Sequence, residues 1–478
     1  MESISVDIAV VGAGPAGAAC AAFLAEGGRT VVLLDARPMA QAGAQWVNGV
    51  ASWMFDQVGV ARPKSPECRG GEHAFVAVSP SGKKRVRVDE NPVLDVDIRL
   101  LGSRLRERAR SAGARLFGET HVDQVELDLS GRPTALLAST PSGRLRVDAR
   151  LFIDASGLKA VLRREVPVLA RACPDPDRRD LCTAAQEVRS VVDSDGARRF
   201  LNAHGVRPGE AIGYSGLAGP YSVLVATVSE DLRSVGILTG SIANDGYRSG
   251  LKMLRDFASE HRWIGDVELG GSGVVPLRRP YARLVAPGVA LVGDSACQVF
   301  SLHGSGIGLG MIAARLLANA VGGSPDPGDL RALWSYACEF HNEWGGLLAV
   351  SDACRRHAQG LAASDVERLC DSGLVTPGLF WDTLAQKLPR LRPRELPVQI
   401  KALMRSPRTA WKMMPMVARG AMALVAARGY PEEPDEAALS AYERRMRLAV
   451  AGPVMGPLLA RARPAHRGPR RPPQPDPQ

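Results

Sequence analysis

Hydrophobic and polar positions at the start of the chain change from a strand pattern to a helix pattern and back. Residues 6–11 form a short apolar run typical of a buried strand, and residues 30–35 form a second one. Between them lie a glycine-rich turn and an alanine-rich stretch that reaches Glu26, where Gly27 and Gly28 end a helix. The order strand, turn, helix, strand predicts a βαβ unit.

Further patterns divide the rest of the chain. Alternation over residues 75–88 about a Ser81-Gly82 turn predicts a β-hairpin, and residues 98–112 predict an amphipathic helix. Another helix is predicted at 249–260, and the pattern is mostly helical from about residue 326. Strand-like runs are predicted at residues 122–128, 135–140, 144–153, 221–228, 235–239 and 289–294.

The turn after the first strand reads Gly12-Ala-Gly14-Pro-Ala-Gly17, which fits the pattern G-x-G-x-x-G. Between a strand and a helix, such glycines permit a tight turn, close approach of a pyrophosphate and close helix packing. The helix start presents free N–H groups and a positive dipole end to phosphates. Asp35 is placed to bind an adenosine ribose, and Arg37 to add charge at the diphosphate. We therefore predict a dinucleotide ligand.

Two later segments extend this prediction by resemblance. They are residues 151–164, with Asp154-Ala-Ser-Gly157, and residues 292–307, with Gly293-Asp294 and Gly304-Ser-Gly306-Ile307. With the glycine motif, they resemble the glutathione-reductase-like FAD enzymes that include p-hydroxybenzoate hydroxylase, geranylgeranyl reductases and flavin-dependent halogenases. The resemblance implies FAD as the cofactor, with Asp294 at the ribityl chain and a helix start after Gly304 aimed at the flavin pyrimidine. It also implies that Arg99 lies near the FAD phosphate or adenosine.

The candidate site residues follow from these segments. His303, the only histidine of the third segment, and Cys297 are the candidate catalytic residues. The open alternatives are structural: a helix-entry histidine bound to backbone for His303, and a small buried thiol for Cys297. No metal site is predicted. The predicted FAD contacts are Gly12, Gly14, Pro15, Ala16, Gly17, Asp35, Ala36, Arg37, Arg99, Asp154, Gly157, Gly293, Asp294, Gly304, Gly306 and Ile307.

The predicted fold class is α/β, with a Rossmann-type FAD-binding domain, an inserted β-sheet substrate domain and a helical C-terminal lobe. The FAD-binding domain takes residues 1–165, with a small β-hairpin excursion near 73–90, and closes with residues 276–325. Residues 166–275 form the substrate-binding sheet domain, and residues 326–463 form the helical lobe. The Pro-rich, polar residues 464–478 are expected to be a disordered tail.

Composition restricts the partners. The chain has 60 Lys and Arg against 50 Asp and Glu, a net charge of +10, which favours anionic partners. Zinc-finger spacings and clustered RNA-binding aromatics are absent from the sequence, so we expect no nucleic acid. Eight scattered cysteines without a C-x-x-C pair, and a start without a basic leader, predict a cytoplasmic protein.

A basic stretch follows residue 386, and Glu395 is its only acid. Three interpretations of this stretch are open: a solvated helical face, a membrane-surface helix, and a docking site for an acidic carrier protein. Peripheral association with a membrane therefore stays open. The cations of the basic stretch are Lys387, Arg390, Arg392, Arg394, Lys401, Arg405, Arg408, Lys412, Arg419 and Arg428.

The predicted function is that of an FAD-dependent oxidoreductase supplied with electrons by NAD(P)H or a partner flavin reductase. The sequence lacks the Trp-x-Trp-x-Ile-Pro signature of halogenases, which disfavours halogenation. We favour a monooxygenase that uses flavin hydroperoxide chemistry on a bulky or carrier-bound substrate, because polar His303 stands where geranylgeranyl reductases usually have a small residue. The alternative is a geranylgeranyl-reductase-like reduction of C=C bonds in an apolar substrate, and a remote one is a non-enzymatic flavin-binding partner protein.

Overall fold

A computed structural model describes residues 1–217, 219, 221–242, 246–390 and 392–452. The strands, in chain order, are β1 (Glu2–Val11), β2 (Val31–Leu34), β3 (Val47–Ala51), β4 (Cys68–Gly71), β5 (Phe75–Val78), β6 (Arg85–Val88), β7 (Val93–Asp97), β8 (Arg115–Phe117), β9 (His121–Leu127), β10 (Pro133–Thr140), β11 (Gly143–Asp154), β12 (Leu181–Val191), β13 (Ala211–Ser215), β14 (Ser222–Val228), β15 (Ser234–Ser241), β16 (Ile264–Pro276), β17 (Val285–Ala286) and β18 (Val289–Leu291).

The helices lie between these strands and, in the last third of the chain, follow one another. A π-helical turn, His341–Gly345, joins two of them. The α-helices are α1 (Pro15–Glu26), α2 (Trp53–Gln57), α3 (Ile98–Ser111), α4 (Val161–Glu165), α5 (Pro167–Ala172), α6 (Ser194–His204), α7 (Gly250–Glu260), α8 (Ile307–Gly322), α9 (Leu330–Phe340), α10 (Gly346–Gln359), α11 (Ala363–Ser372), α12 (Pro377–Leu384), α13 (Leu396–Arg405), α14 (Pro407–Ala427) and α15 (Glu436–Ala451).

The first sheet has the order β17-β18-β11-β1-β2-β8, with β10 and β9 added beside β11. Strands β18, β11, β1, β2 and β8 run parallel. All four residues of β2 are buried, as is usual for a parallel strand covered on both faces. Helix α1 packs between α3 and α8 against this sheet. The chain leaves the sheet after β11 and returns at β17 and β18, which confirms the predicted discontinuous Rossmann-type fold.

The second sheet has the order β16-β12-β15-β14-β13-β5-β6. Helices α6 and α7 cover one face and bury Phe200, Phe257 and Trp263 there. The predicted hairpin forms, with Phe75 opposite Val88. It is not a separate excursion, however, because β5 pairs in parallel with β13 and so extends this sheet.

Strands β3, β7 and β4 form a small third sheet. The C-terminal lobe is helical, as predicted, and its last described helix ends at Ala451. The lobe contacts the hairpin, where the ring of Phe380 lies 5.5 Å from that of Phe75. Among the described residues, we find no helix with both the length and the apolarity needed to cross a bilayer. The predicted tail at 464–478 lies outside the described residues.

Candidate active site

The turn between β1 and α1 leaves no room for a side chain at two of its glycines. Gly12 has a φ of +102°, and a methyl group there would overlap the carbonyl oxygen of Ala155. A methyl group at Gly17 would overlap the carbonyl oxygen of Gly12. Gly14, the N-cap of α1, would place a Cβ 3.5 Å from the Cα of Gly43, which is an ordinary contact. The tight turn and close helix packing are therefore those that the sequence predicts, and Gly14 is the least crowded of the three positions.

Asp35 lies directly after β2, beside this loop. Its Oδ2 accepts a hydrogen bond from the backbone N–H of Ala13 at 2.8 Å, and its Oδ1 accepts one from the N–H of Arg37 at 2.9 Å. Each carboxylate oxygen keeps a second lone pair that can accept a ribose hydroxyl. The Arg37 guanidinium is half exposed and donates to the carbonyl of Gly43, and Ala36 is exposed. The segment thus fits the predicted adenosine end of the cofactor.

Arg106, which the sequence analysis did not single out, contacts the glycine loop, while Arg99, the predicted FAD contact, binds Asp97 at the start of α3. Arg99 donates from Nε and Nη2 to the two carboxylate oxygens of Asp97, at 3.0 and 2.7 Å. Buried Arg106 donates from Nη1 to the carbonyl oxygen of Ala13 at 3.0 Å. Burial lowers the pKa of Arg106, and the charge of Asp35 opposes this shift. Arg99 therefore pairs with the N-cap residue of α3, and Arg106 stabilises the glycine loop.

A sequence signal for Arg106 existed. The buried residues of α3 repeat with helical spacing, and Arg106 falls on that face beside Leu105 and Ala109. An arginine on the buried face of an amphipathic helix requires polar partners. Gly102 provides the space for it, because a Cβ at that position would lie 2.8 Å from Nη1 of Arg106.

Asp154, in the second segment, has a structural role in this conformation. Burial raises its pKa, and hydrogen bonds from its donors lower it. Asp154 stabilises the turn after β11, in which the next residue, Ala155, contacts Gly12. Gly157, with a φ of +67°, has open space where its side chain would be. The donors to the Asp154 carboxylate are the N–H and hydroxyl of Ser156 and the N–H groups of Leu162 and Arg163.

The third segment joins β18 to α8 and lies against the first turn of α1. A Cβ at Gly293 would be 3.2 Å from the Cβ of Ala16, and one at Gly310, in the first turns of α8, would be 2.9 Å from it. These small residues allow the starts of α1 and α8 to meet at Ala16. Pro15 and Ile307 are the first residues of these helices. Two sets of free N–H groups and two positive dipole ends therefore lie close together, as an anionic dinucleotide requires.

The carboxylate of Asp294 lies at the same junction. Its Oδ1 would be 3.3 Å from a Cβ on Gly306, the N-cap of α8. Among the described residues, no hydrogen-bond donor pairs with this carboxylate, and burial raises its pKa to about 6. A partly exposed carboxylate without a protein partner is open to a ligand donor, and the hydroxyls of an FAD ribityl chain have that chemistry. The residues present therefore fit FAD, with Gly304, at a φ of +74°, turning the chain into α8.

The imidazole of His303 is held at both nitrogens. Nδ1 lies 3.0 Å from the hydroxyl of Ser305, and Nε2 lies 3.0 Å from the carbonyl oxygen of Thr383 in α12. Because a carbonyl only accepts, the proton sits on Nε2 and Nδ1 accepts from Ser305. Burial lowers the pKa of His303 and keeps the ring neutral. This geometry favours positioning over proton transfer.

Cys297 is buried and has a φ of +56°. Burial raises the pKa of its thiol to about 11, while the charge of Arg278 and a hydrogen bond with Tyr281 oppose the shift. The thiol stays protonated at neutral pH, which favours the structural interpretation over a nucleophile. Within the described ranges, no group of three or more His, Cys, Asp or Glu side chains has the arrangement of a metal site.

A small apolar wall separates the second sheet from the third segment, and sequence reasoning missed it. Its buried members are Cys182, Ile242, Leu277 and Val299. The Tyr221 hydroxyl, at its edge, lies 2.6 Å from the carbonyl oxygen of Ser301. A Cβ at Gly304 would be 3.5 Å from Cδ2 of Leu277, so the wall reaches the turn before α8. No motif marks these residues, because they come from distant parts of the chain. Cys182 lies in β12, Ile242 and Leu277 directly follow β15 and β16, and Val299 lies in the third segment.

Comparisons with known proteins find an FAD-binding domain and reductase relatives. A family model described as an FAD binding domain matches residues 5–194. A digeranylgeranylglycerophospholipid reductase of Sulfolobus acidocaldarius is 24% identical over 379 residues, covering 77% of this chain and 80% of that protein. The digeranylgeranylglycerophospholipid reductase 1 of Methanopyrus kandleri is 28% identical over 371 residues, covering 76% and 93%.

Solved structures share the fold. A geranylgeranyl bacteriochlorophyll reductase-like protein of Thermoplasma acidophilum has a TM-score of 0.70 at 16% identity, covering 87% of this chain and all of that one. A flavin-dependent brominase has a TM-score of 0.58 at 14% identity, covering 85% and 99%. With its FAD-binding domain, its fold and a site that fits the cofactor, this chain is an FAD-dependent oxidoreductase.

Proposed function

We propose that this enzyme reduces C=C bonds in the isoprenoid chains of an apolar or lipid substrate. The observation that carries the proposal is the extent of the likeness to digeranylgeranylglycerophospholipid reductases. The Sulfolobus match spans 379 residues, more than the 325 that precede the helical lobe. It therefore includes regions beyond the FAD-binding domain, where we propose that the substrate contacts lie. The comparisons support this alternative better than the monooxygenase favoured from sequence.

The geometry at His303 points the same way. The preference for a monooxygenase rested on a polar histidine beside the flavin. In the structure both of its nitrogens are engaged by Ser305 and Thr383, so the ring offers no free donor or acceptor to an oxygenated intermediate. The wall of Cys182, Ile242, Leu277 and Val299 is apolar, as a hydrocarbon substrate requires.

The residues of this chain would have three tasks in such a reduction. The α1 start, with Asp35 and Arg106 behind it, would hold the diphosphate and adenosine. Asp294 would hold the ribityl chain, and the start of α8 would face the pyrimidine edge. The apolar wall would lie behind the site and keep water out of it. FAD, once bound and reduced, supplies a hydride. NAD(P)H or a partner flavin reductase as the electron source is part of this proposal.

Anaerobic single turnover tests the proposal. Purified holoenzyme is reduced with dithionite and mixed with a digeranylgeranylglycerophospholipid in detergent. We expect flavin absorbance to return and the product mass to rise by two hydrogens for each bond reduced. The matched control is the same mixture without reductant. Hydroxylated product that forms only with oxygen and NAD(P)H, and no anaerobic product, would instead establish the monooxygenase.

A further inference from the structure

One region of the C-terminal lobe carries most of the large apolar side chains that the described residues leave exposed. Trp411 is 69% exposed and Met404 is 71% exposed. Apolar groups gathered in one region of a surface mark an interaction site. We call this region the lobe surface, and its apolar members are Leu388, Val398, Ile400, Leu403, Met404, Trp411, Met414, Val417, Met422 and Val425.

Helix α14 shows why these side chains are uncovered. One face packs against α10 and α15. At 3.6 residues per turn, its exposed apolar residues fall on the opposite side, within about 140° of arc. A helix that is apolar on two faces normally has partners on both. The inward residues are Thr409, Met413, Gly420, Ala423 and Ala427, and the outward residues are Trp411, Met414, Val417, Met422 and Val425.

Positive charge borders this stripe. Residues 387–428 contain ten cations and one acid. Arg392 pairs with Asp382, and Lys412 pairs with Asp365. Within the described ranges, Lys401, Arg405 and Arg408 have no carboxylate within 4.0 Å, so their charge is available to a partner. Arg408 and Lys412 lie together on one edge of α14, beside the outward stripe.

We propose that the lobe surface binds the face of a bilayer that contains anionic lipids. A helix with an apolar face and a basic edge lies in the interface plane, with its apolar side chains among the acyl chains and its cations at the headgroups. Trp411 provides the only hydrogen-bonding side chain of the outward stripe. Protein interfaces carry about one hydrogen bond per 100–200 Å², so the stripe suits lipid better than an acidic protein.

The lobe surface begins a few residues after a part of the lobe that contacts the third segment. His303 contacts the carbonyl of Thr383, and the indole N–H of Trp53 donates to the carbonyl of Ala385 at 3.0 Å. Leu388, the first member of the surface, follows three residues later. If the reductase function proposed above holds, membrane docking would place the site where isoprenoid lipids reside. The membrane inference itself rests on the surface and does not need that function.

Vesicle co-sedimentation of the full-length holoenzyme tests the inference. We expect it to pellet with phosphatidylcholine vesicles that contain phosphatidylglycerol and to be released by salt. The double variant Trp411→Glu, Met414→Glu should reduce binding by at least tenfold. The double variant Arg405→Gln, Arg408→Gln should reduce binding to the anionic vesicles roughly 30-fold and bind neutral vesicles as wild type does.

Matched controls separate this surface from general effects. Leu129→Glu and Arg233→Gln change fully exposed residues elsewhere, and they should bind as wild type does. Flavin absorbance and circular dichroism show that each variant is folded. Wild-type protein that stays in the supernatant at low salt would overturn the inference. Two other results would also overturn it, each if Trp411→Glu abolished it: formation of a dimer, or binding to polyglutamate without vesicles. Either would show that the surface binds a protein partner.

Discussion

The guanidinium of Arg106 donates a hydrogen bond to the carbonyl oxygen of Ala13, 3.0 Å away, in the middle of the glycine loop. The same carbonyl belongs to the residue whose N–H is held by Asp35. The loop is therefore held from both sides before any cofactor binds. A preformed loop binds more tightly because less conformational freedom is lost on binding.

Substitution Arg106→Leu should weaken FAD binding by about tenfold or more, because a hydrogen bond to a charged group contributes about 1.5–3 kcal/mol. Titration of apoprotein with FAD, followed by flavin fluorescence, measures the affinity. The control is Arg110→Leu, four residues along α3, where the side chain is exposed and pairs only with Glu107. Equal affinities of the two variants would refute the role of Arg106.

Gly310→Val should lower FAD content and thermal stability, because its side chain would push α8 away from Ala16 and separate the two helix starts. Overpacking of this kind costs about 1–3 kcal/mol. Flavin absorbance per polypeptide and the melting temperature are the measurements. Gly322→Val, at the exposed end of α8 with no atom within 4 Å of a new Cβ, should change neither.

Asp294→Asn should stabilise the apoprotein above pH 6. Burial raises the pKa of Asp294 from 3.8 to about 6, so ionisation above that pH opposes folding. The variant should gain roughly 1–3 kcal/mol over wild type at pH 8, and the gain should disappear as pH falls toward 4. FAD affinity should decrease in the same variant, because a carboxylate accepts more strongly than an amide. Urea unfolding at several pH values checks this, and a gain that persists at pH 4 would contradict it.

His303→Ala should slow turnover while FAD stays bound, because it releases α12 from the turn before α8. The pH dependence of turnover should keep its shape, since a neutral ring held at both nitrogens moves no proton. Thr383→Ala is the control, because His303 contacts the backbone carbonyl and not that side chain. A changed pH profile in His303→Ala would restore the acid–base interpretation, and unchanged turnover would dismiss both roles.

Acid should destabilise the protein partly through His341. Burial and the charge of Arg279 lower the pKa of His341 to about 3, from 6.5. The unfolded chain therefore takes up this proton first, and stability falls as pH decreases from about 6.5 to about 3, by up to about 1.4 kcal/mol per pH unit. His341→Gln should show a shallower decline in urea unfolding. His121→Gln, at an exposed histidine, should follow wild type.

The sequence alone determined the FAD-binding unit. The βαβ unit is local, and the demand on Gly17 comes from the carbonyl oxygen of Gly12, five residues away. The crowding at Gly12 comes instead from Ala155, which follows β11, the neighbour of β1 in the sheet. Helix α1 runs from Pro15 to Glu26, ending where Gly27 and Gly28 predicted. The hairpin at 75–88 also formed as its alternation indicated. Short-range patterns of this kind constrain the chain wherever it folds.

Only the tertiary structure decided which residues meet. Strand β5 joins the second sheet through β13, some 135 residues away, and the apolar wall draws on Cys182, Ile242, Leu277 and Val299. His303 is paired with a carbonyl of the C-terminal lobe, which changed its interpretation. The outward apolar stripe of α14 became visible only once α10 and α15 had covered the other face. Such contacts depend on strand register and helix packing between distant segments, which no local pattern specifies.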